Sequence, residues 1–259
     1  MPDDIDDHAL AADLAGRAGR LLLALCAKGG DPKTLRDAGD KQSHEFLMAE
    51  LAKARPNDAV LSEEGSDDKA RLAADRVWIV DPLDGTREFG EPGRTDWAVH
   101  VALWARNASA GPGDLVAGAV ALPAQHRVLA TESKPRTFPG PGAQRLRMVV
   151  SRSRPTNLVK DVAARINAEL IPCGSAGAKV ATVVLGENDV YLHSGGFYEW
   201  DTAAPVAVAR QGGLHVSRID GRPVRYNQDD PLMPDILVCR SAIADLLLNA
   251  IRSANASRS

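Results

Sequence analysis

Between Trp97 and Trp104 the chain alternates strictly, with Trp97, Val99, Val101 and Leu103 on one face and Ala98, His100, Ala102 and Trp104 on the other, and both faces are essentially apolar. A strand sends successive side chains to opposite faces, so a strand of this kind must be covered on both sides. The chain is therefore expected to fold in layers rather than as a sheet with one wet face.

The flanking segments supply the other layers. Leu10, Leu14, Ala18, Leu21, Leu22 and Leu25 recur at helical spacing between His8 and Lys28, and Gly29-Gly30 follow as a stop. A second helix is expected from about Lys41 to Ala54, with Asp40 capping its start and Pro56 beyond its end. Ala59–Leu61 and Val77–Val80 read as buried strands, and Val116–Leu122 and Arg127–Thr131 as further strands antiparallel to their neighbours. Ser133–Ala143 carries Pro135, Pro139, Gly140, Pro141 and Gly142, a linker composition, which suggests one domain over 1–140 and another over 141–259. The second half predicts strands at 148–151, 190–193, 214–217 and 236–239. Its helices are expected near 157–168, near 178–185 and from Ala242 onward.

Composition excludes several function classes. Lysine plus arginine number 31 against 34 acids, a net charge of −3, so no basic surface advertises nucleic-acid binding. Cys26, Cys173 and Cys239 form no Cys-x-x-Cys pair and suggest neither a zinc site nor a disulfide framework. The acidic Met1–Asp7 segment does not read as a signal peptide, and no apolar run has membrane-spanning length; a cytoplasmic protein with no membrane partner is expected.

The chemistry concentrates in acids that follow apolar runs. Asp81-Pro82-Leu83-Asp84-Gly85-Thr86 follows Val77–Val80, and Pro82 and Gly85 can bend the chain so that Asp81 and Asp84 converge. Two hard carboxylates with the Leu83 carbonyl between them suit Mg²⁺, and N–H groups of Gly85 and Thr86 opening a helical turn suit phosphate. The same six residues would also make an ordinary Asx turn. Glu63 and Glu64 follow Ala59–Ser62, and Asp201 opens a small-residue helix; alone, these read as a solvated pair and an N-cap. Together, Glu63, Asp81, Asp84 and Asp201 make a plausible set for two or three Mg²⁺ ions in phosphoryl transfer to water. The six histidines show no ligand-like spacing and read as structural or surface residues, and the four tryptophans as core anchors.

Trp78-Ile79-Val80 followed by Asp-Pro-Leu-Asp-Gly-Thr, with Trp200-Asp201-Thr202-Ala203-Ala204 downstream, resembles the paired signature of the inositol monophosphatase superfamily over nearly the whole chain. The resemblance implies an α+β fold, an αβαβα layered sandwich, with lithium sensitivity. It puts metal ligands at Glu63, Asp81, the Leu83 carbonyl, Asp84 and Asp201, and it implies that Asp40 accepts a proton through Thr86. Arg87-Glu88-Phe89 and Gly174-Ser175-Ala176-Gly177-Ala178-Lys179 are similar to the bisphosphate-nucleotidase branch, as are Ser62-Glu63-Glu64 and Ser151-Arg152-Ser153. That branch implies removal of the 3′-phosphate of 3′-phosphoadenosine 5′-phosphate by in-line attack of an activated water, in the setting of sulfate assimilation. It also implies a homodimer. Gly85, Thr86, Ser175 and Lys179, then Arg154 and Arg87, are the expected contacts to a phosphorylated nucleotide, with Tyr198 and Glu199 possible neighbours of the nucleoside. Inositol 1-phosphate or fructose 1,6-bisphosphate as substrate, or a non-catalytic nucleotide or metal sensor, are the alternatives.

Overall fold

A computed structural model describes residues 6–106, 113–131, 145–153 and 155–257. The expected linker at 133–143 and Arg154 lie outside the described residues.

Two helices come first, α1 (Asp7–Lys28) and α2 (Pro32–Ala54). Asp6 caps α1 by accepting a hydrogen bond from Ala9 N, and the helix buries Leu10, Leu14, Ala18, Leu22 and Leu25. Helix α2 starts well before the expected Lys41. Asp31 is its cap and Pro32 its first residue, a pairing that favours helix initiation. Asp40 therefore sits in mid-helix and caps nothing.

The first sheet follows: β1 (Ala59–Ser62), β2 (Arg76–Asp84), β3 (Ala98–Ala105), β4 (Asp114–Leu122) and β5 (Arg127–Ala130), in that spatial order. β1 runs parallel to β2, and the other neighbours are antiparallel. A short turn of helix, α3 (Thr86–Phe89), leaves the end of β2.

The second sheet has the order β7-β6-β8-β10-β9, from β6 (Arg147–Ser151), β7 (Glu169–Cys173), β8 (Val190–Tyr198), β9 (His215–Ser217) and β10 (Leu232–Cys239). Its helices are α4 (Asn157–Arg165), α5 (Ala176–Val184), α6 (Glu199–Gln211) and α7 (Ala244–Ala256).

Three apolar clusters reveal the layering. Trp78, Val80, Val99, Val101 and Leu103 pack against α1 and α2, while the opposite face of the same sheet, with Ile79, Ala98 and Ala102, packs against α5 and α6. Val149, Tyr191, Ile236 and Val238 of the second sheet meet α5 and α6 from the other side, and its outer face is covered by α4 and α7. The order is thus helices, sheet, helices, sheet, helices, the expected αβαβα sandwich. Among the described residues no helix is long and apolar enough to cross a membrane.

Candidate active site

Asp84 lies three positions after Asp81, an odd step, so the two would point to opposite faces of a regular strand. The register prevents this. Asp81 lies opposite His100 and Asp84 opposite Ala98, so three steps along β2 match two along β3. The bulge returns both carboxylates to one face, the face covered by α5 and α6.

Asp201 arrives from the first turn of α6. Side-chain oxygens of Asp81, Asp84 and Asp201 lie within 4.8 Å of one another. A backbone N–H holds one oxygen of each: Leu83 N to Asp81 Oδ1 at 3.0 Å, Gly177 N to Asp84 Oδ2 at 2.6 Å and Tyr198 N to Asp201 Oδ2 at 2.6 Å. These bonds leave the second oxygen of each carboxylate unengaged by them, and Asp81 Oδ2 is buried without any hydrogen-bond partner. Glu63 follows the end of β1 at the rim of the site, its carboxyl beside that of Asp81.

The electrostatics are those of a site short of positive charge. Burial, then the charges of Glu63, Asp84 and Asp201, push Asp81 well above the usual carboxylate range. Burial likewise raises Glu63 to about 7 and Asp201 to about 6, with neighbouring acids adding to both. Burial also opposes ionisation of Asp84, but His100, Lys179 and the Gly177 N–H hold it below its ordinary value. Three or four carboxyls this close cannot all be ionised without a cation between them, and an all-oxygen donor set fits a hard divalent ion.

Beside the acids lies a hydroxyl bridge. Thr86 Oγ1 is 3.2 Å from Asp40 Oδ1 and 3.1 Å from the Leu83 carbonyl oxygen. Burial, reinforced by Glu64, raises Asp40 to about 6. Helix α2 comes this close because Gly39 has no side chain; a Cβ there would stand 2.7 Å from Phe89 Cε1 and 3.0 Å from Leu83 Cδ2. Ser43 Oγ donates to the Pro82 carbonyl at 2.7 Å and pins the helix to the same turn. Gly85, with φ of 87°, starts α3 in the left-handed region, and a Cβ on it would lie 2.9 Å from that of Ser175.

The acids open onto a cleft of about 300 Å³ whose wall includes Gly85, Ser175, Lys179, His193, Phe197 and Asp201. Lys179 is almost fully buried, donates to the Gly174 carbonyl and lies over the Tyr191 ring; burial lowers its pKa. The remaining expectations fare differently. Arg87 is exposed, pairs with Glu91 and does not line the cleft, because α3 points that face of its single turn outward. Tyr198 stacks on Trp200 with ring centroids 4.7 Å apart, and buried Glu199 accepts from Asn227 N and Gln228 N; neither lines the cleft.

Three residues went unassigned in the sequence. His193 lines the cleft, and His100 is fully buried with Nε2 3.3 Å from Asp84 Oδ2, so neither is a surface residue. Arg152, at the loop after β6, bridges to Glu88 and Glu91 of the other sheet's turn and ties the two halves across the cleft. Only the pairing of β3 with β2, which sets His100 opposite Asp81, reveals His100; Arg152 had no signal beyond its place in Ser-Arg-Ser.

The family described as the inositol monophosphatase family matches residues 13–256. A protein of Mycobacterium leprae (strain TN) named 3′-phosphoadenosine 5′-phosphate phosphatase is 48% identical over 256 residues, covering 96% of this chain and 94% of that one. Among solved structures, CysQ from Bacteroides thetaiotaomicron is similar with a TM-score of 0.73 and 30% identity, covering 92% of this chain and 98% of that one. Inositol monophosphatase-II from Staphylococcus aureus MSSA476 has a TM-score of 0.76 at 20% identity, covering 92% of each chain, and so shares the fold.

Proposed function

The chain belongs to the inositol monophosphatase family, and from that premise we propose that it is a Mg²⁺-dependent phosphatase that converts 3′-phosphoadenosine 5′-phosphate to AMP and phosphate. The observation that carries the reading is the convergence of Asp81, Asp84 and Asp201, from two halves of the chain, beside a cleft that holds a buried lysine. The substrate is supported by the 48% identical relative of that name.

Glu63, Asp81, the Leu83 carbonyl, Asp84 and Asp201 would hold the Mg²⁺. When bound, the ions offset charge on the phosphoryl group and lower the pKa of water. Glu63 and the Thr86 hydroxyl orient the attacking water. Thr86 Oγ1 accepts a proton from it while passing its own to Asp40, 3.2 Å away. The water oxygen bonds to phosphorus in line with the departing ribose O3′, the phosphorus–O3′ bond breaks, and O3′ takes a proton from solvent. Gly85, Thr86 and Ser175 are the proposed seat of the reacting phosphate, and Lys179 is the proposed counter-charge for the second one. Arg154 keeps its place from the resemblance alone, and Arg87 is not carried forward. We also retain the division into domains 1–140 and 141–259 as a proposal.

A phosphate-release assay on this bisphosphate nucleotide, inositol 1-phosphate and fructose 1,6-bisphosphate, with and without Li⁺, tests the reading. The highest kcat/KM is expected for the nucleotide, with Li⁺ inhibiting. Preference for either sugar phosphate would replace the substrate, and no release from any of them would favour a sensor.

A further inference from the structure

Cation and phosphate account for the acids, Gly85, Ser175 and Lys179, but a separate stretch of the cleft wall comes from β8, which lends Tyr191, His193, Gly196 and Phe197. Lys179 Nζ stands 5.6 Å from the centre of the Tyr191 ring, and the Tyr191 and His193 rings follow at 6.3 Å between centroids. His193 and Phe197 are 5.4 Å apart, their planes inclined by 68°. The wall thus runs from the buried lysine through three rings, and the outer two are only partly covered. Rings of this kind do not ligate a hard divalent cation, which takes oxygen, and they offer a phosphate no charge; they suit the face and edge of another flat ring. Because His193 and Phe197 meet at a steep angle, a flat group laid on one turns its edge towards the other.

The proton on His193 is fixed by its contact. Nε2 lies 3.3 Å from the Gly196 carbonyl oxygen, which can only accept, so Nε2 is the nitrogen that carries the hydrogen. Burial, and then the charge of Lys179, disfavour a second proton on the ring. Nδ1 therefore keeps its lone pair and acts as an acceptor. It has no partner among the described residues and is not one of the buried atoms left without one, so it opens to the solvent of the cleft that His193 lines.

We propose that His193 and Phe197 seat the base of the nucleotide: the Phe197 ring takes the flat face of a purine, and His193 Nδ1 accepts a hydrogen bond from its exocyclic amino group. The proposal rests on the bisphosphate-nucleotide reading above and supplies the partner of the base, which that reading leaves open. These two residues take the place that the sequence offered to Tyr198 and Glu199. The site should then prefer adenine, which carries an amine donor on that edge, to hypoxanthine, whose carbonyl would meet the Nδ1 lone pair.

The test compares kcat and KM for the 3′,5′-bisphosphates of adenosine and inosine, in Mg²⁺, with wild type, His193→Phe and Phe197→Leu. The ratio of the two kcat/KM values within one protein does not depend on how much of that protein is folded. Wild type is expected to favour the adenosine compound by about 10-fold or more. His193→Phe, which keeps a ring beside Phe197 but has no acceptor, should treat the two alike. Phe197→Leu should raise KM for both by about 10-fold and keep the preference, since stacking is lost for either base. Equal wild-type values for the two compounds, or an undiminished preference in His193→Phe, overturn the base assignment and leave the phosphatase reading standing, because both compounds are still hydrolysed. An unchanged KM in Phe197→Leu overturns it too. Turnover of neither nucleotide by wild type overturns the nucleotide reading and this inference together.

Discussion

Asp40 can accept a proton through Thr86 only when its carboxyl is ionised. Burial and Glu64 raise that carboxyl to about 6, so the accepting form is lost as the pH falls through that value. The kcat–pH profile should therefore carry an acidic limb near 6, and Glu64→Gln, which removes a neighbouring negative charge, should move the limb to lower pH. Asp40→Asn should lower kcat by about 10²–10⁴-fold, the usual yield of a positioned base. A limb that stays put in Glu64→Gln would mean that another group sets it. At this scale the acids were legible because each ends an apolar run or opens a helix, the places where a buried segment meets a cavity. His100 was not legible, since alternation alone reads it as one more core residue. It pairs across the strands with Asp81 in regular register, and the bulge beyond Asp81 brings Asp84 to the same face. Arg87 misled for a related reason: sequence adjacency to the phosphate loop says nothing about which side of a single helical turn faces the cleft.

The elements set the distances on which those residues depend. Helix α2 brings Asp40 to Thr86 because Gly39 lets it approach Phe89 and Leu83. Gly39→Ala gains about 1 kcal/mol of helix propensity, but its Cβ would overlap the Phe89 ring, and overpacking costs about 1–3 kcal/mol. The expected outcome in urea titration is a small net destabilisation. The expected drop in kcat is larger in proportion, because relief of the clash moves α2 away from Thr86. A variant with unchanged kcat would show that the Asp40–Thr86 distance is not critical. The start of α2 could have been read from Asp31-Pro32, a cap followed by a residue suited to the first turn. Strand β7 was harder: it lies at the sheet edge, contains Pro172 and has no fully buried residue, so no periodic signal survives. β8 runs on through Gly195 and Gly196 to Tyr198, where apolar patterning has already ended.

Across the whole molecule, the central helices α5 and α6 serve both sheets, and the aspartates meet where the first sheet touches that layer. The strand apolar on both faces made layering readable from the start; which helices fill the middle was not, since pairing between distant halves leaves no local pattern. This placement couples the site to stability. Divalent cations should stabilise the folded protein by relieving repulsion among buried carboxyls, by about 2.7 kcal/mol at 100 times the dissociation constant. Calorimetry with and without Mg²⁺ should show the rise in wild type and its loss in Asp84→Asn. The most direct test of the central claim follows 3′-phosphoadenosine 5′-phosphate by chromatography and phosphate release, with wild-type and Asp84→Asn protein, in Mg²⁺ and in chelator. The account predicts one phosphate released per AMP formed, only by wild type and only with Mg²⁺. Equal turnover in chelator or by Asp84→Asn, or release of the 5′-phosphate instead, would contradict it.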